Sequence, residues 1–243
     1  TDHGPAESIV AYVKERGRHV DWILETHAHA DHLSAAQFLQ GQLGGKIAIG
    51  EGIRQVQSHF GPVFNLGSSF ATDGSQFDHL FADGDEFAIG NLHGRVIHTP
   101  GHTNDSVTYV IGNAAFVGDT VFMTDYGTAR CDFPGGDAGL LYDSIQKLFA
   151  LPDDTILYLC HDYPPDDRSL QFATPLTEQK ASNIHVGGDT ERSAYVTMRE
   201  TRDAKLSLPA LILPSIQVNI RAGKLPAAED NDIAYIKIPL DTL

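Results

Sequence analysis

The stretch Thr26-His27-Ala28-His29-Ala30-Asp31-His32 carries three histidines and one aspartate within seven residues. It follows the apolar segment HVDWILET (19–26), which predicts a buried strand. It precedes the segment HLSAAQFLQGQL (32–43), whose apolar spacing predicts a helix. In extended chain, side chains two residues apart point the same way, so His27 and His29 can face one ion. Asp31 and His32 then fall at the predicted helix start. The spacing therefore predicts a metal site where a strand meets a helix.

Polar residues also follow three later apolar strands. The strand predicted over 93–100 leads into Gly101-His102-Thr103, that over 114–118 into Asp119-Thr120, and that over 155–160 into His161-Asp162-Tyr163. Each of these alone is typical of an ordinary turn or loop. Four such strand ends in one chain, three of them with histidine, indicate a single shared site.

Helical and extended patterns alternate along the rest of the chain. Further helices are predicted over 5–16 and 138–151 and within the charged stretch 176–205, and further strands over 46–50, 86–90 and 106–112. Residues 58–82 show no clear period and predict an excursion or long loop. The mixture predicts one α/β (or α+β) domain of layered sheets over residues 1–243, with the Pro-rich tail 206–243 packed on it.

The amino-acid composition excludes some classes of function and favours others. The 243 residues carry a formal net charge of −15, which disfavours binding to nucleic acid or to an anionic membrane. No apolar run approaches the roughly 18 residues of a membrane span. Twelve histidines beside only two cysteines favour a catalytic metal over a zinc finger. Cys131 and Cys160 are expected to be buried free thiols in a reducing compartment, which means the cytoplasm or an organelle matrix.

The ordered motifs HxHxDH, GHT, GDT and a late HDY resemble those of the metallo-β-lactamase superfamily over about residues 19–223. The resemblance implies a four-layer αβ/βα sandwich with the metal site at one edge of its two sheets. It also implies that the chain lacks the first N-terminal strands of that fold. Seven positions match the superfamily's metal ligands: His27, His29, Asp31, His32, His102, Asp119 and His161.

Two branches of the superfamily use these positions differently. In glyoxalase II-like thioester hydrolases, all seven bind two Zn ions or an Fe/Zn pair, with the position of Asp119 as the bridge. In persulfide dioxygenases, the positions of His27, His102 and Asp119 hold one Fe(II), which leaves coordination positions open for dioxygen and substrate. The remaining four would then form a polar layer around those ligands: His29, Asp31, His32 and His161. The seven side chains alone permit both chemistries.

Two other segments favour the dioxygenase branch. Residues 127–133 (GTARCDF) resemble its R-T-D-F element, although Cys131 replaces the usual Thr, and residues 217–223 (QVNIRAG) resemble its C-terminus. In that branch the Arg of this element and the Tyr after the late His-Asp bind glutathione persulfide, and they match Arg130 and Tyr163. The resemblance thus implies a dioxygenase that oxidises glutathione persulfide with O2 to sulfite and glutathione. A hydroxyacylglutathione hydrolase of the glyoxalase II kind is the alternative.

The resemblance also implies a homodimer and a functional link to a rhodanese. The acidic chain must place cations near an anionic thiol, which favours Arg130, with Arg168 or Arg221 as further candidates. A binding protein with a degenerate site would have lost ligand residues, whereas all seven are present. A nucleic-acid-processing member of the superfamily would need added basic surface, which the charge of −15 opposes.

Overall fold

The computed structural model describes residues 2–240. The chain forms two compact units. Unit 1 comprises the described parts of Thr1–Phe81 and Leu208–Leu243, and unit 2 comprises Ala82–Ser207. The C-terminal tail is therefore part of unit 1 from Leu208 onward. The single domain over residues 1–243 stays a prediction.

Seven helices and nine strands occur within residues 2–240. The helices are α1 (Gly4–Glu15), α2 (Ala36–Leu43), α3 (Ile53–Val63), α4 (Ala138–Phe149), α5 (Leu176–Ser182), α6 (Arg192–Asp203) and α7 (Ile212–Asn219). The strands are β1 (Trp22–Leu24), β2 (Lys46–Gly50), β3 (His79–Phe81), β4 (Glu86–Ile89), β5 (Leu92–His98), β6 (Val107–Ile111), β7 (Ala114–Phe116), β8 (Ile156–Tyr158) and β9 (Ala173–Pro175). The predicted mixed α/β class is confirmed.

Unit 1 contains a parallel sheet in the order β1-β2-β3. The central strand β2 is the sequence KIAIG, and four of its five residues are buried, as expected of a strand covered on both faces. The edge strand β1 is shorter than the predicted 19–26 and only half-buried. An edge strand has one neighbour instead of two, which accounts for its greater exposure.

The excursion predicted over residues 58–82 is wrong at both ends. Helix α3 continues to Val63 and buries Ile53, Val56 and Phe60 at helical spacing, and strand β3 begins at His79. Gly61 and Pro62 lie in the last turn of α3 and obscure its helical pattern in the sequence.

Unit 2 contains a six-stranded sheet in the order β4-β5-β6-β7-β8-β9. Helix α4 packs on it through Leu141, Ile145 and Leu148, which are completely buried in one cluster with Ala115 and Leu157 of the sheet. The side chain of Asp137 caps α4 by accepting a hydrogen bond from the backbone N–H of Leu140.

The C-terminal part of the chain contains three helices. The charged stretch 176–205, predicted to be helical, contains α5 and α6, which residues 183–191 separate. The tail contains helix α7, which the Pro-rich composition obscured. None of the helices within residues 2–240 has the length and apolar character required to cross a bilayer.

Candidate metal centre

Residues 27–32, here called the ligand loop, carry four of the seven predicted ligands. The loop lies between β1 and α2 and has neither helical nor strand geometry. The prediction that Asp31 and His32 sit at a helix start is wrong, because α2 begins only at Ala36. The physical reason is that the backbone around the loop bonds to the side chain of Asn219, which takes up groups that a helix would pair internally.

The side chains of the ligand loop lie close to one another. His27 and His29 are buried, with ring centroids 3.9 Å apart, and the rings of His29 and His32 are 4.2 Å apart. One potential ligand atom from each of His29, Asp31 and His32 lies within 4.8 Å of the other two. The loop thus offers a compact group of imidazole and carboxylate donors.

In unit 2 the predicted ligands are His102, Asp119 and His161, which follow β5, β7 and β8. Strands β5 and β7 are both antiparallel to β6, and β8 is parallel to β7. All three strands therefore run in the same direction, and their carboxyl ends lie at one edge of the sheet. His102 and Asp119 are buried there, and His161 is half-buried.

The Asp119 carboxylate lies between the two imidazoles. Its Oδ2 is 3.7 Å from Nε2 of His102, and its Oδ1 is 3.7 Å from Nε2 of His161. Hydrogen bonds between such atoms are shorter, at about 2.9 Å. Two ligands each about 2.1 Å from a tetrahedral ion are about 3.4 Å apart. The spacing therefore fits metal ligands better than directly bonded side chains, and the N and O donors suit Zn or Fe(II).

Gly101 forms the turn that positions His102 at this edge of the sheet. Its φ is +133°, and a Cβ at this position would lie 2.3 Å from the backbone nitrogen of Leu141 in α4. Only glycine fits so close to the helix backbone at this φ. The glycine of the GHT motif is therefore required by the turn, and the histidine that follows is positioned by it.

A hydrogen bond also fixes the ring of His102. Its Nδ1 is 2.8 Å from the backbone carbonyl of Arg130. Because a carbonyl only accepts, Nδ1 carries the proton and donates it, which leaves the Nε2 lone pair directed toward Asp119. This is the tautomer that a metal ligand at Nε2 needs.

Helix α6 holds the loop that provides this carbonyl. Arg199 donates to the backbone oxygen of Thr128 (3.1 Å) and, through Nε and Nη2, to Oδ1 of Asp203 (2.9 and 2.5 Å). Asp203 in turn accepts from the backbone N–H of Cys131 (2.8 Å). Arg199 and Asp203 are both buried. This buried ion pair fixes the backbone on both sides of Arg130.

The sequence of α6 is highly charged, and its charge alone does not indicate this buried role. The signal was present in the spacing of Tyr195, Arg199 and Asp203, which recur every four residues and form the buried face. Cys131 beside them is buried, and burial raises the pKa of its thiol. Cys160 is exposed, so the expectation of two buried thiols is wrong for that residue.

Arg130 and Tyr163, the predicted substrate residues, both lie in unit 2. Arg130 donates from Nε and Nη2 to the two carboxylate oxygens of Asp132 (2.6 Å each) and from Nη1 to the carbonyl of Ser207 (2.8 Å). The hydrogen bond to Asp132 raises the pKa of Arg130. Tyr163 is 46% exposed, stacks on Tyr126 at 4.6 Å, and has its ring 6.1 Å from that of His161.

Arg168 organises the segment that carries His161 and Tyr163. Its guanidinium binds the carboxylates of both Asp125 and Asp162 at 2.6–3.0 Å. The hydrogen bonds from Arg168 lower the pKa of Asp162, whose side chain is buried. With two carboxylates bound, Arg168 stabilises this segment and its positive charge is offset locally.

Comparison with known proteins assigns the family. A family model described as the metallo-beta-lactamase superfamily matches residues 3–161. The chain belongs to the metallo-β-lactamase superfamily. The predicted family and its fold are thereby confirmed. Membership of this metal-binding superfamily agrees with the two His/Asp donor groups described above.

Three similar proteins indicate the range of relatives. A probable metallo-hydrolase of Burkholderia pseudomallei is 52% identical over 98% of this chain and 84% of its own length. Glyoxylase B2 of Dictyostelium discoideum is 53% identical over 98% of this chain and 82% of its own length. The crystal structure of ETHE1 from Myxococcus xanthus superposes with a TM-score of 0.72 at 30% identity, over 90% of this chain and 84% of that one.

Proposed function

We propose that this superfamily member is a non-haem Fe(II) persulfide dioxygenase. The reaction would combine glutathione persulfide, O2 and water to give glutathione and sulfite, with both atoms of O2 and the oxygen of water in the sulfite. The observation that carries the proposal is the structural similarity to ETHE1, a persulfide dioxygenase, over nine-tenths of the chain. The dioxygenase-like residues 127–133 and 217–223 support it.

In this proposal His27, His102 and Asp119 hold one Fe(II), following the superfamily positions that they match. Two imidazoles and one carboxylate form the donor set of non-haem Fe(II) oxygenases. When bound, Fe(II) would supply the one-electron chemistry that activates O2 for addition to the persulfide sulfur. The other four positions orient ligands and water through hydrogen bonds: His29, Asp31, His32 and His161.

Arg130 and Tyr163 would bind the substrate. Three of the five N–H groups of Arg130 donate to Asp132 and Ser207, so two remain to bind a glutathione carboxylate. The Tyr163 ring is held by Tyr126, and its hydroxyl can donate a hydrogen bond to the persulfide.

A dinuclear thioester hydrolase is the second candidate. The observation that favours it is Asp119, since a carboxylate with one imidazole facing each oxygen has the arrangement of a bridging ligand. In this alternative all seven ligand positions would hold two Zn ions or an Fe/Zn pair, which would supply Lewis acidity and lower the pKa of water for thioester hydrolysis. Glyoxylase B2 and the probable metallo-hydrolase are relatives whose names fit this alternative.

Metal analysis of anaerobically purified protein, combined with an oxygen electrode, tests the two candidates. The dioxygenase is supported by about one iron per chain, with one O2 consumed and one sulfite formed per glutathione persulfide. Two zinc ions per chain, hydrolysis of S-lactoylglutathione and no oxygen uptake would overturn it in favour of the hydrolase. The Asp119→Ala variant serves as the control for metal-independent oxidation, because it should lose the metal.

A further inference from the structure

Asn219, the last residue of α7, directs its whole side-chain amide at the segment that contains the ligand loop. Its Nδ2 donates to the backbone carbonyls of His29 and His32, and its Oδ1 accepts from the backbone N–H of Ser34. All three hydrogen bonds are 2.8 Å long. Asn219 is only 4% exposed. One buried amide therefore joins three points along six residues of backbone.

These bonds replace regular secondary structure. Residues 26–35 belong to neither a helix nor a strand, so regular secondary structure does not fix their backbone conformation. Buried backbone groups without partners are costly, which makes the conformation of such a segment depend on side chains that satisfy it. Asn219 bonds the carbonyls of two residues whose imidazoles lie 4.2 Å apart, and so restrains the backbone positions from which those rings project.

Asn219 is itself held in place by the elements around it. The chain after α7 is anchored by Gln57 of α3, which donates to the carbonyl of Ile220 at 2.9 Å, and by Gln37 of α2, which donates to the carbonyl of Ala222 at 3.0 Å. The far side of the Gln57 amide accepts from the backbone N–H of Gly74 at 2.9 Å. These hydrogen bonds fix the backbone that follows Asn219 and so help to hold its side-chain amide in place.

We propose that Asn219 is a positioning residue of the metal centre. It holds the ligand loop in the conformation that presents His29 and His32 together, so that the free protein is already ordered for metal binding. The proposal rests on the metal centre of the proposed function, whichever of its two chemistries applies. Without Asn219 the loop must be ordered when the metal binds, and the metal affinity falls accordingly.

Gln217 offers a matched control on the same helix. It is 1% exposed and also makes three side-chain hydrogen bonds, donating to the carbonyls of Leu213 and Lys237 and accepting from the N–H of Lys237. None of these partners belongs to the ligand loop. Removing either amide leaves similar buried groups unsatisfied, but only the loss of Asn219 changes the support of the loop.

The test compares wild type, Asn219→Ala and Gln217→Ala as metal-free proteins. Co(II) serves as the probe, with affinity measured by chelator competition and ligand geometry by the visible absorption of bound Co(II). We expect both variants to unfold at similarly lowered temperatures, while only Asn219→Ala loses about tenfold in Co(II) affinity and shows an altered Co(II) spectrum. Asn219→Ser is the substitute where Asn219→Ala does not fold, with the same expected loss.

Equal Co(II) affinity in wild type and the Asn219 variants, or equal losses in the Asn219 and Gln217 variants, would overturn the positioning role. These outcomes are distinct from failure of the proposed function. Wild type that binds Co(II) tightly but consumes no O2 with glutathione persulfide overturns the dioxygenase and leaves the role of Asn219 to be decided by the variants. Wild type that binds no Co(II) overturns both.

Discussion

The Asp119 carboxylate faces two histidines, an arrangement compatible with either one metal ion or two. Its two carboxylate oxygens lie at equal distances, 3.7 Å, from the Nε2 atoms of His102 and His161. If one ion is bound by His27, His102 and Asp119, then His161 contributes only hydrogen bonding. If two ions are bound, His161 is a direct ligand of the second. The two histidines therefore have equivalent geometry within unit 2 but different expected importance.

Alanine variants of these two histidines separate the possibilities. For the mononuclear site, we expect His161→Ala to retain about one iron per chain and His102→Ala to lose most of it, because only the latter removes a ligand. Elemental analysis of the anaerobically purified proteins measures this directly, and the wild type supplies the reference. Equal loss of metal from both variants would contradict the mononuclear assignment.

At the scale of the secondary-structure element, α6 stabilises unit 2 through its buried ion pair. Removing one partner of a buried pair leaves an uncompensated charge, so we expect Arg199→Met to lower the free energy of unfolding by about 3 kcal/mol. The control is Arg192→Ala on the same helix, whose ion pair with Asp143 is half-exposed and worth at most about 1 kcal/mol. Urea unfolding measures both. Similar losses in the two variants would contradict the structural role of Arg199.

His185 beside α6 makes this part of the fold sensitive to acid. It is only 8% exposed, and its Nδ1 accepts a 2.9 Å hydrogen bond from the backbone N–H of Thr128. Burial, followed by the charges of Arg199 and Arg202, lowers the pKa of His185 to about 4. Below its ordinary pKa of about 6.5 the unfolded chain gains a proton that the folded chain does not, so stability falls with falling pH.

The matched variant for His185 is His185→Asn, which keeps a hydrogen-bond acceptor near Nδ1 but does not titrate. We expect the free energy of unfolding of wild type to drop more between pH 7 and pH 5 than that of His185→Asn, since only wild type has the depressed histidine pKa. Urea titrations at the two pH values measure the difference. Parallel pH dependence in the two proteins would show that His185 does not contribute.

The sequence predicts elements and motif positions well where the signal is local. The apolar run KIAIG coincides with β2, which is covered on both faces, and Leu141, Ile145 and Leu148 identify α4, which is buried on one face. The motifs that contain the predicted metal ligands are also local signals, because each directly follows an apolar strand in the sequence. The role of Asn219 was not predictable, since it depends on contact with a loop 185 to 190 residues earlier in the chain. The Arg199–Asp203 pair likewise depends on burial that charge alone does not indicate.

At the scale of the whole molecule, the net charge of −15 acts on any anionic substrate. We expect this charge to repel the substrate. Arg130 is paired with Asp132, and Arg168 is paired with two carboxylates, so neither arginine presents an uncompensated positive charge. Approach of glutathione persulfide is then opposed by the field of the protein, and salt should screen that opposition. Added salt should therefore favour substrate binding, whereas at an electropositive site it would weaken the binding of an anion.

The ionic-strength dependence of kcat/KM tests this directly. Between about 10 mM and about 150 mM salt the screening length shortens from about 30 Å to about 8 Å, so we expect kcat/KM for glutathione persulfide to rise while kcat stays constant. Cysteamine persulfide is the control, because its cationic amine offsets the persulfide anion, and its kcat/KM should depend little on salt. A fall in kcat/KM for glutathione persulfide would mean that cations at the site, with Arg130 the first candidate, outweigh the acidity of the whole protein.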